Sequence, residues 1–369
     1  MIKSIYADGV RSLKNFEHEF IEGITVICGP NGCGKTSLLE SVHLLSQGFS
    51  FRAKDLKEMI CWNHDNLILR GMFHQDITRA LRIHKQGYDV KENGVVKKSP
   101  GAFFGVQPAV IMQPSDIELL RGAPEIRRRW IDEILCYRSR ANTELLKKYK
   151  RILQQRNHWL KQYKKDGYAI GGDEMLNVLS EQLIQYGAQL WKSRIELSIE
   201  ISPIITAYYR MLSNGVDEIS CEYKSSILNE LNVPDKKILD EHILADAFRQ
   251  KLKTLKKMEF TMGMTMAGPH KDDLELCIGG YGMRSMGSQG QCRSAAVAMR
   301  FAAVDVATQY LNKPLLLLDD IFAELDNHRR GAVAELIREK ACQVIIATPQ
   351  AEDLPFKAED VIDFAHDSR

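Results

Sequence analysis

The sequence lacks a hydrophobic run long enough to cross a bilayer, and its opening residues, Met1 to Tyr6, are typical of a strand rather than a secretion signal. Its eight cysteines include no Cys-x-x-Cys pair, which argues against a zinc site or a disulfide framework. There is also no internal repeat and no low-complexity segment. From these absences we expect reduced thiols in a cytoplasmic protein that has no membrane partner.

Positive charge is concentrated in one part of the chain, although the net charge is only +2. Residues 121–165 contain fourteen Lys and Arg against four acidic residues, a net charge of +10 that leaves −8 for the remainder. Aromatic residues, including Trp130, Tyr149 and Trp159, are interleaved with these charges. Such a segment is typical of a surface that binds the phosphate backbone of nucleic acid, and a solvated helix face is the alternative.

A complete phosphate-binding loop follows the strand-like run at 24–28 and precedes a stretch whose apolar residues share one helical face. In this Walker A pattern, backbone N–H groups cradle the β-phosphate, Lys35 reaches the β- and γ-phosphates, and the Thr36 hydroxyl can ligate Mg²⁺. The sequence therefore predicts that the chain binds ATP with Mg²⁺. The predicted contacts are Gly29, Pro30, Asn31, Gly32, Cys33, Gly34, Lys35, Thr36 and Ser37.

Two further motifs extend this site. Residues 315–318 are four leucines followed by Asp319 and Asp320, a Walker B pattern in which we expect Asp319 to hold the Mg²⁺ shell and Asp320 to polarise the attacking water. Lys35 and Asp320 are thus the predicted catalytic residues. Ser288 to Gln291 opens an Ala-rich helical stretch and is similar to the signature motif of ABC-type ATPases. An ordinary serine-capped helix start is the alternative.

The order of the segments indicates one ATPase lobe interrupted by an insertion, in a chain of 369 residues that is too long for a single ordinary core. Strand-like runs occupy much of the first hundred residues, and long helical patterns cover 124–212. After 258 we expect a return to strands, with alternate residues from Phe260 to Met266 on one side. We therefore predict an α/β head formed by residues 1–120 and 258–369, and a helical arm formed by residues 121–257.

Several motifs together carry a close resemblance to a known family. They are Val10-Arg-Ser-Leu13, the phosphate loop, Gly122-Ala-Pro-Glu-Ile-Arg-Arg-Arg129, Ala267-Gly-Pro-His-Lys-Asp-Asp-Leu274, Ser-Gln-Gly-Gln, and Leu318-Asp-Asp-Ile-Phe-Ala-Glu-Leu-Asp326. In this order, and across nearly the whole chain, they resemble the RecF family of bacterial recombination and repair ATPases. The resemblance implies an ABC-type ATPase head like those of SMC proteins, with a short helical arm in place of a long coiled coil.

The resemblance also implies a function and a set of contacts. It implies binding to single-stranded and double-stranded DNA at gaps and junctions, an ATP-dependent homodimer, and weak DNA-stimulated hydrolysis. RecR and RecO are the implied partners, with RecA loading, replication restart and SOS induction as the outcome. Ser288 and Gln291 would contact nucleotide on the second protomer, and Arg11 would contact phosphate. Gln113 would contact Mg²⁺, or alternatively be a polar residue that ends a strand.

Two departures from ABC-type ATPases bear on the rate of hydrolysis. Asp320 stands where many of those proteins have Glu, and Thr348 stands where they have His. A shorter carboxylate and a side chain that cannot carry a proton both favour a slow switch. Three alternatives stay open: a soluble ATPase subunit of an ABC-type transporter, another SMC-like ATP switch, and an ATP-regulated nuclease.

Overall fold

The computed structural model describes residues 1–166, 172–213, 215, 217–231 and 240–364. The chain divides into two compact units. Unit 1 comprises Met1–Asp116, Met211–Gly215 and Ala296–Arg369, and unit 2 comprises Ile117–Arg210 and Val216–Ala295. None of the described helices combines the length and apolar character needed to cross a membrane.

The strands and helices of the described residues are numbered along the chain. The strands are β1 Ile2–Asp8, β2 Phe16–Glu19, β3 Ile24–Cys28, β4 Asn66–Phe73, β5 Ile77–His84, β6 Gly87–Glu92, β7 Val95–Val96, β8 Ala109–Met112, β9 Ile219–Lys224, β10 Asp273–Ile278, β11 Tyr281–Gly282, β12 Leu315–Asp319, β13 Val344–Ala347 and β14 Asp360–Asp363. The helices are α1 Lys35–Gln47, α2 Glu118–Arg121, α3 Pro124–Arg138, α4 Arg140–Asp166, α5 Gly172–Leu212, α6 Ser226–Leu231, α7 Glu241–Met262, α8 Met283–Met286, α9 Gln289–Tyr310 and α10 Asn327–Lys340.

Unit 1 contains two sheets of different character. The first has six antiparallel strands in the order β2-β1-β4-β5-β6-β7, and β4 alternates buried and half-exposed residues as expected for a sheet with one solvated face. The second has five parallel strands in the order β14-β3-β13-β12-β8. All four residues of β13, inside the sheet, and of β8, at its edge, are buried, so the sheet is covered on both faces at these strands.

Helix α1 contributes to the core that lies between these sheets. Twelve of its thirteen residues are buried, and Leu38, Leu39, Val42 and Leu45 join residues of both sheets in one apolar cluster. The helix ends at Gly48, whose φ of 77° is left-handed and whose N–H donates to the Leu44 carbonyl at 2.8 Å. A Cβ there would lie 2.0 Å from the Pro100 oxygen, so only glycine fits.

Most of the elements expected from the sequence are confirmed. The buried strands at 24–28, 109–112, 315–318 and 344–347 are β3, β8, β12 and β13. The turn at Glu92-Asn93-Gly94 joins β6 to β7 as a hairpin, with Asn93 and Gly94 at positive φ. An α/β fold with helices on parallel strands is therefore what the patterns predicted.

Unit 2 is largely helical. The long helices α3, α4 and α5, which the pattern over 124–212 predicted, dominate it together with α7. Strand β10 pairs with β9 and β11 in a small antiparallel sheet. The alternation of apolar residues in β9 places Ile219, Cys221 and Tyr223 on its buried face.

The expected return to strands directly after 258 is wrong. Helix α7 continues to Met262 and ends at Gly263, whose left-handed φ of 70° lets its N–H donate to the Glu259 carbonyl. Phe260 stacks on Tyr163 of α4 with ring centroids 4.1 Å apart, a helix–helix contact that period-2 reasoning cannot reveal. The strand resumes only at Asp273.

The boundaries of the compact units differ from those of the predicted head and arm. Residues 258–295, which the sequence assigned to the head, lie in unit 2. The physical reason is strand pairing, because β10 is held to β9 along six residue pairs and β9 lies within the middle segment. The assignment of 1–120 and 258–369 to the ATPase head, with 121–257 as its arm, stays a prediction about function.

Candidate nucleotide-binding site

The phosphate loop forms a tight turn between β3 and α1. Gly29, Gly32 and Gly34 all have positive φ, at 141°, 84° and 119°. At Gly34 a Cβ would lie 2.9 Å from Leu13 Cδ2 and 3.0 Å from the Ser12 hydroxyl, so the approach of the neighbouring loop requires glycine. The turn leaves the N–H groups at the start of α1 available as an anion site.

Lys35 is the first residue of α1 and is only 8% exposed. Its ammonium donates to the Gly29 carbonyl at 2.6 Å and to the Pro30 carbonyl at 3.0 Å. These two bonds fold the side chain over its own loop, where the β- and γ-phosphates of a nucleotide would lie. Both of these described partners are neutral carbonyls. The buried ammonium of Lys35 is therefore suited to bind an anion.

Parallel pairing brings the second half of the site to the same edge of the sheet. The register sets Asp319 of β12 beside Ala347 of β13, which pairs in turn with Ile27 of β3. On the other side Leu318 pairs with Met112. The carboxyl ends of these strands therefore surround the start of the phosphate loop, the usual place for ligands in such sheets.

Thr36 and Asp319 are in direct contact. The Thr36 hydroxyl lies 2.9 Å and 3.1 Å from the two carboxylate oxygens of Asp319. Burial raises the pKa of Asp319, the Thr36 hydrogen bond opposes that rise, and the charge of Asp320 adds to it. A hydroxyl and a carboxylate are hard oxygen ligands, so this pair fits a Mg²⁺ ion.

Asp320 has a backbone conformation that is uncommon for a residue other than glycine. Its φ is 52°, and its N–H donates to the Ala347 carbonyl at 2.9 Å. This hydrogen bond extends the β12–β13 pairing by one residue. The positive φ of Asp320 then turns the chain sharply directly after Asp319. The positions of Asp319 and Asp320 agree with the predicted Walker B site, and their separate roles stay predictions.

Arg11 forms an ion pair instead of standing free. Its Nε and Nη2 donate to the Glu40 carboxylate at 2.7 Å and 3.2 Å, and Glu40 itself is fully buried on α1. Ser50 also donates to Glu40. The predicted contact of Arg11 with a nucleotide phosphate stays a prediction, and Glu40 is a partner that the motifs did not reveal.

Arg52 is a second residue that sequence reasoning missed. It is exposed, and its charge acts on Asp319 in the direction that lowers the pKa of that carboxyl, together with Lys35. No motif marks this position, because Arg52 reaches the site through the turn after α1 and not through the phosphate loop. Its proximity to the Walker B carboxylate makes it part of the electrostatic surroundings of the site.

Gln113 follows β8 and is half-exposed. Because Met112 pairs with Leu318, Gln113 lies next in register beside Asp319 at the edge of the sheet. Its backbone N–H donates to Asp116 at 3.0 Å, and Asp116 in turn accepts two bonds from Arg300. The backbone of Gln113 is thus held firmly, and its predicted contact with Mg²⁺ remains to be tested.

The signature motif begins α9 with a reciprocal capping box. The Ser288 hydroxyl accepts from the backbone N–H of Gln291 at 3.2 Å. In return, the side-chain Oε1 of Gln291 accepts from the backbone N–H of Ser288 at 2.8 Å. The side-chain Nε2 of the same glutamine donates to the Asp217 carboxylate at 2.8 Å. Ser288 is exposed, so its side chain is accessible to a second molecule.

The segment around residue 270 is part of a buried polar network in unit 2. Arg127 donates through Nε and Nη2 to Asp273 at 2.7 Å and 2.8 Å, and through Nη1 to the Leu119 and Gly122 carbonyls. Arg127 is 3% exposed. This arginine therefore joins the start of α3 to β10 and is not available for a ligand.

Asp272 lies at the centre of the same network. It accepts from the Trp191 indole and from the Tyr223 hydroxyl, and burial raises its pKa. Arg194 binds Asp132 at 2.7 Å and also donates to Tyr223. Within the described ranges no group of three or more His, Cys, Asp or Glu side chains is arranged to hold a metal ion.

Comparisons with known proteins agree with the motifs. A family model described as an AAA domain matches residues 4–259, so the chain belongs to that family. A Geobacillus protein named DNA replication and repair protein RecF is 30% identical over 352 residues, covering 94% of this chain and 92% of its own. The chain belongs to the RecF family. A Bacillus velezensis protein of the same name is 29% identical over 357 residues, covering 96% of this chain and 94% of its own.

Solved structures identify the fold of this RecF-family chain. One, described as the recombination mediator protein RecF with ATP in the RecFOR pathway, has a TM-score of 0.87 at 28% identity and covers 98% of this chain and 95% of its own. An Smc head bound to a domain of ScpA has a TM-score of 0.55 at 17% identity, covering 98% and 93%, a likeness of fold alone. The predicted ABC-type ATPase head is confirmed.

Proposed function

We propose that this protein is an ATP-dependent DNA-binding protein of replication and recombinational repair. The observation that carries the proposal is the contact of Thr36 with Asp319, which joins the Walker A and Walker B motifs into one site. Relatives that match nearly the whole chain are named for DNA replication and repair, and one of them is described with ATP bound. Both the site and the relatives support ATP as the ligand.

In this proposal the chain's own residues hold and orient the nucleotide. Lys35 exchanges its loop carbonyls for the β- and γ-phosphates, and the N–H groups at the start of α1 bind phosphate oxygens. Thr36 and Asp319, with Gln113 as a further candidate, would hold Mg²⁺, which when bound neutralises charge on the phosphates. Asp320 accepts a hydrogen bond from the attacking water. Its short side chain supports slow hydrolysis.

ATP acts in this proposal as the link between two copies of the chain. Ser288 and Gln291 of one protomer would contact the γ-phosphate held by the phosphate loop of the other, which produces an ATP-dependent homodimer. The accessible Ser288 hydroxyl at a helix start supports this role. DNA at gaps and junctions would favour the dimer and stimulate weak hydrolysis.

RecO and RecR are the proposed protein partners, with RecA reached through them. The support is the description of a similar structure in the RecFOR pathway. The loading of RecA on gapped DNA, replication restart and SOS induction follow as proposed outcomes of this partnership.

The test is light scattering of the purified chain without nucleotide, with ADP and with ATP, each with and without gapped DNA. We expect a monomer without ATP, a dimer with ATP, and a larger dimer fraction when gapped DNA is added. DNA binding that is absent under every condition would contradict the proposal. Failure to bind DNA combined with normal ATP binding would favour a transporter subunit, and Mg²⁺- or Mn²⁺-dependent cutting of labelled DNA would favour a nuclease.

A further inference from the structure

Two helices of unit 2 present exposed lysines that the nucleotide site does not use. They form a surface that we name the lysine face. It consists of Lys161, Lys164 and Lys165 on α4 and Lys253, Lys256 and Lys257 on α7. Among the described residues none of the six has an acidic side chain within salt-bridge distance, whereas Arg249 and Lys251 of the same helix pair with Glu181 and Glu230.

Contacts between α4 and α7 hold the two lysine-bearing helices against each other. Tyr163 of α4 stacks on Phe260 of α7, and Arg156 of α4 donates to Glu259 of α7 at 2.6 Å. Arg156 and Glu259 are 3% and 1% exposed. Because Glu259 is sequestered in this pair, it adds no negative charge to the exposed surface.

The inner turns of α4 differ, although they contain as many basic residues. Lys147 pairs with Glu144 at 3.0 Å, and Lys150 lies 3.9 Å from Asp132. Lys147 and Lys150 thus each have an acidic neighbour. Lys148 lies over the Tyr186 ring, as Lys256 of the lysine face lies over the Phe260 ring. Like charges stand four residues apart at 161 and 165 and at 253 and 257, as they also do at 147 and 151, a spacing that destabilises an isolated helix.

We propose that the lysine face binds the phosphate backbone of DNA. The inference rests on the proposed DNA-binding function and names the surface that performs it. Exposed ammonium groups on two packed helices supply positive charge for phosphates, and each contact releases counterions from the DNA. Lysine gives point charges without the paired geometry that reads bases, so the contact is independent of sequence.

The experiment compares two double variants by fluorescence anisotropy with gapped DNA over a range of salt concentrations. Lys164→Gln with Lys257→Gln removes one charge from each helix of the lysine face. Lys147→Gln with Lys150→Gln is the matched control, since it removes two charges that have acidic neighbours. For duplex contacts we expect the first variant to lower the slope of log K against log salt by roughly 1.8 in magnitude, at about 0.9 per contact.

The control variant should keep the wild-type slope, and ATP affinity should be unchanged in both. If wild type binds DNA and the two variants behave alike, the lysine face is not the DNA surface, although the proposed function stands. If the control alone loses binding, the inner turns of α4 are the surface instead. If wild type itself does not bind DNA, the proposed function fails first, and the lysines would have to serve an acidic protein partner.

A separate observation concerns Asp217, which precedes β9 and contacts the signature motif from outside it. Its carboxylate accepts from the Gln291 amide at 2.8 Å and from the Tyr209 hydroxyl at 3.4 Å. The Gln291 side chain has two ends, and its carbonyl end caps the Ser288 N–H. By holding the amide end, Asp217 therefore fixes which end of Gln291 faces Ser288.

We infer that Asp217 is a positioning residue for the signature motif. This inference also rests on the proposed function, in which Ser288 and Gln291 meet the nucleotide of a second protomer. Without Asp217 the Gln291 amide can rotate away, and the start of α9 loses its fixed orientation. Asparagine keeps an acceptor oxygen at the same place, so Asp217→Asn should preserve the arrangement while Asp217→Ala removes it.

The readout separates positioning from folding. We expect Asp217→Ala to bind ATP as a monomer with wild-type affinity but to raise the dissociation constant of the ATP-bound dimer roughly tenfold, the effect of about one lost hydrogen bond to a charged group. Asp217→Asn should restore the dimer. Equal dimerisation of Asp217→Ala and wild type would overturn the inference, as would failure of Asp217→Asn to restore it. A wild-type chain that never dimerises with ATP would contradict the proposed function instead.

Discussion

At the residue scale, Lys35 combines burial with weak partners. Its ammonium is held by two carbonyls of a loop and by no described acid within salt-bridge distance, so it is prepared to exchange them for phosphate. Other side chains close to it have opposite character. Asp319 contributes a carboxylate and Thr36 a hydroxyl, which suit a cation and not a phosphate.

We expect Lys35→Ala to lose ATP binding by a factor of about 100 or more while the fold remains intact, because the lost charge contacts the ligand and not the core. Titration with a fluorescent ATP analogue measures the affinity, and the unfolding temperature checks the fold. Lys54→Ala is the control, since this exposed lysine lies outside the loop. Normal affinity in Lys35→Ala would contradict the assignment of the phosphate loop.

His270 is a neutral, half-buried residue whose tautomer its two hydrogen bonds determine. Its Nε2 faces the Thr265 carbonyl at 3.2 Å, which only accepts, so Nε2 carries the proton. Its Nδ1 then accepts from the Tyr149 hydroxyl at 2.6 Å. Burial lowers the pKa of His270 to about 4, and the nearby charges of Lys271 and Arg128 act in the same direction.

This lowered pKa predicts a loss of stability in mild acid. The folded pKa lies below the ordinary value of 6.5, so the unfolded chain binds more protons between these values. The contribution is fully present above pH 6.5 and is lost as the pH falls towards 4, and it amounts to about 3 kcal/mol. The unfolding temperature of wild type should therefore fall more steeply from about pH 7 to about pH 5 than that of His270→Asn. Parallel curves for the two proteins would show that His270 is not the titrating group.

At the scale of elements, one arginine joins the beginning of α3 to β10. Arg127 is bidentate to Asp273 and also satisfies carbonyls at the end of α2. Helix α2 ends there because Gly122 is extended, and Pro124 starts α3 at the position where a missing N–H costs least. The junction thus depends on the charge of Arg127, with Arg128 adding a bond to the Asp272 carbonyl at 2.6 Å.

Removal of this arginine should be strongly destabilising. We expect Arg127→Ala to cost about 3 kcal/mol, because it leaves a carboxylate and several carbonyls without their donor. Chemical denaturation followed by circular dichroism measures the cost. Arg129→Ala is the matched control two residues away, where the side chain is exposed, and its cost should stay below about 0.5 kcal/mol. Equal effects of the two changes would mean that the buried ion pair is not what holds the junction.

At the scale of the whole molecule, ATP has two distinct sets of predicted contacts. The phosphate loop binds it within one chain, and the signature motif at Ser288 meets it only across a dimer. These contacts are separable by mutation, because Ser288 is exposed and its hydroxyl bonds only within its own capping box. A large, positively charged side chain at position 288 would prevent the contact with a second protomer without contacting the nucleotide of its own chain.

We therefore expect Ser288→Arg to bind ATP with an affinity close to wild type and to remain monomeric when ATP is present. Loss of the helix cap should cost about 1 kcal/mol, which the unfolding temperature will report. Light scattering with ATP measures the assembly. Lys35→Ala should also stay monomeric, but because it does not bind ATP. If Ser288→Arg loses ATP binding as a monomer, the signature motif acts within its own chain and the dimer assignment is wrong.

Features that depend on local chemistry can be predicted from the amino-acid sequence. Glycine spacing defined the phosphate loop, and continuous apolar runs defined the buried strands β3, β8, β12 and β13 that carry the site. A return to strands after residue 258 was the main error, because alternate apolar residues also occur in α7, where Phe260 packs on another helix. Short periodic runs do not distinguish the two structures.

Tertiary structure alone decided which distant residues meet. Thr36 and Asp319 are 283 residues apart in sequence, and Asp217 reaches Gln291 across 74 residues. Likewise Lys150 of α4 lies 3.9 Å from Asp132 of α3, whereas no described acid lies within salt-bridge distance of Lys164, although the sequence shows one continuous basic run. The reason is physical: strand order and helix packing select partners through space, whereas composition records only that charges of each sign are present.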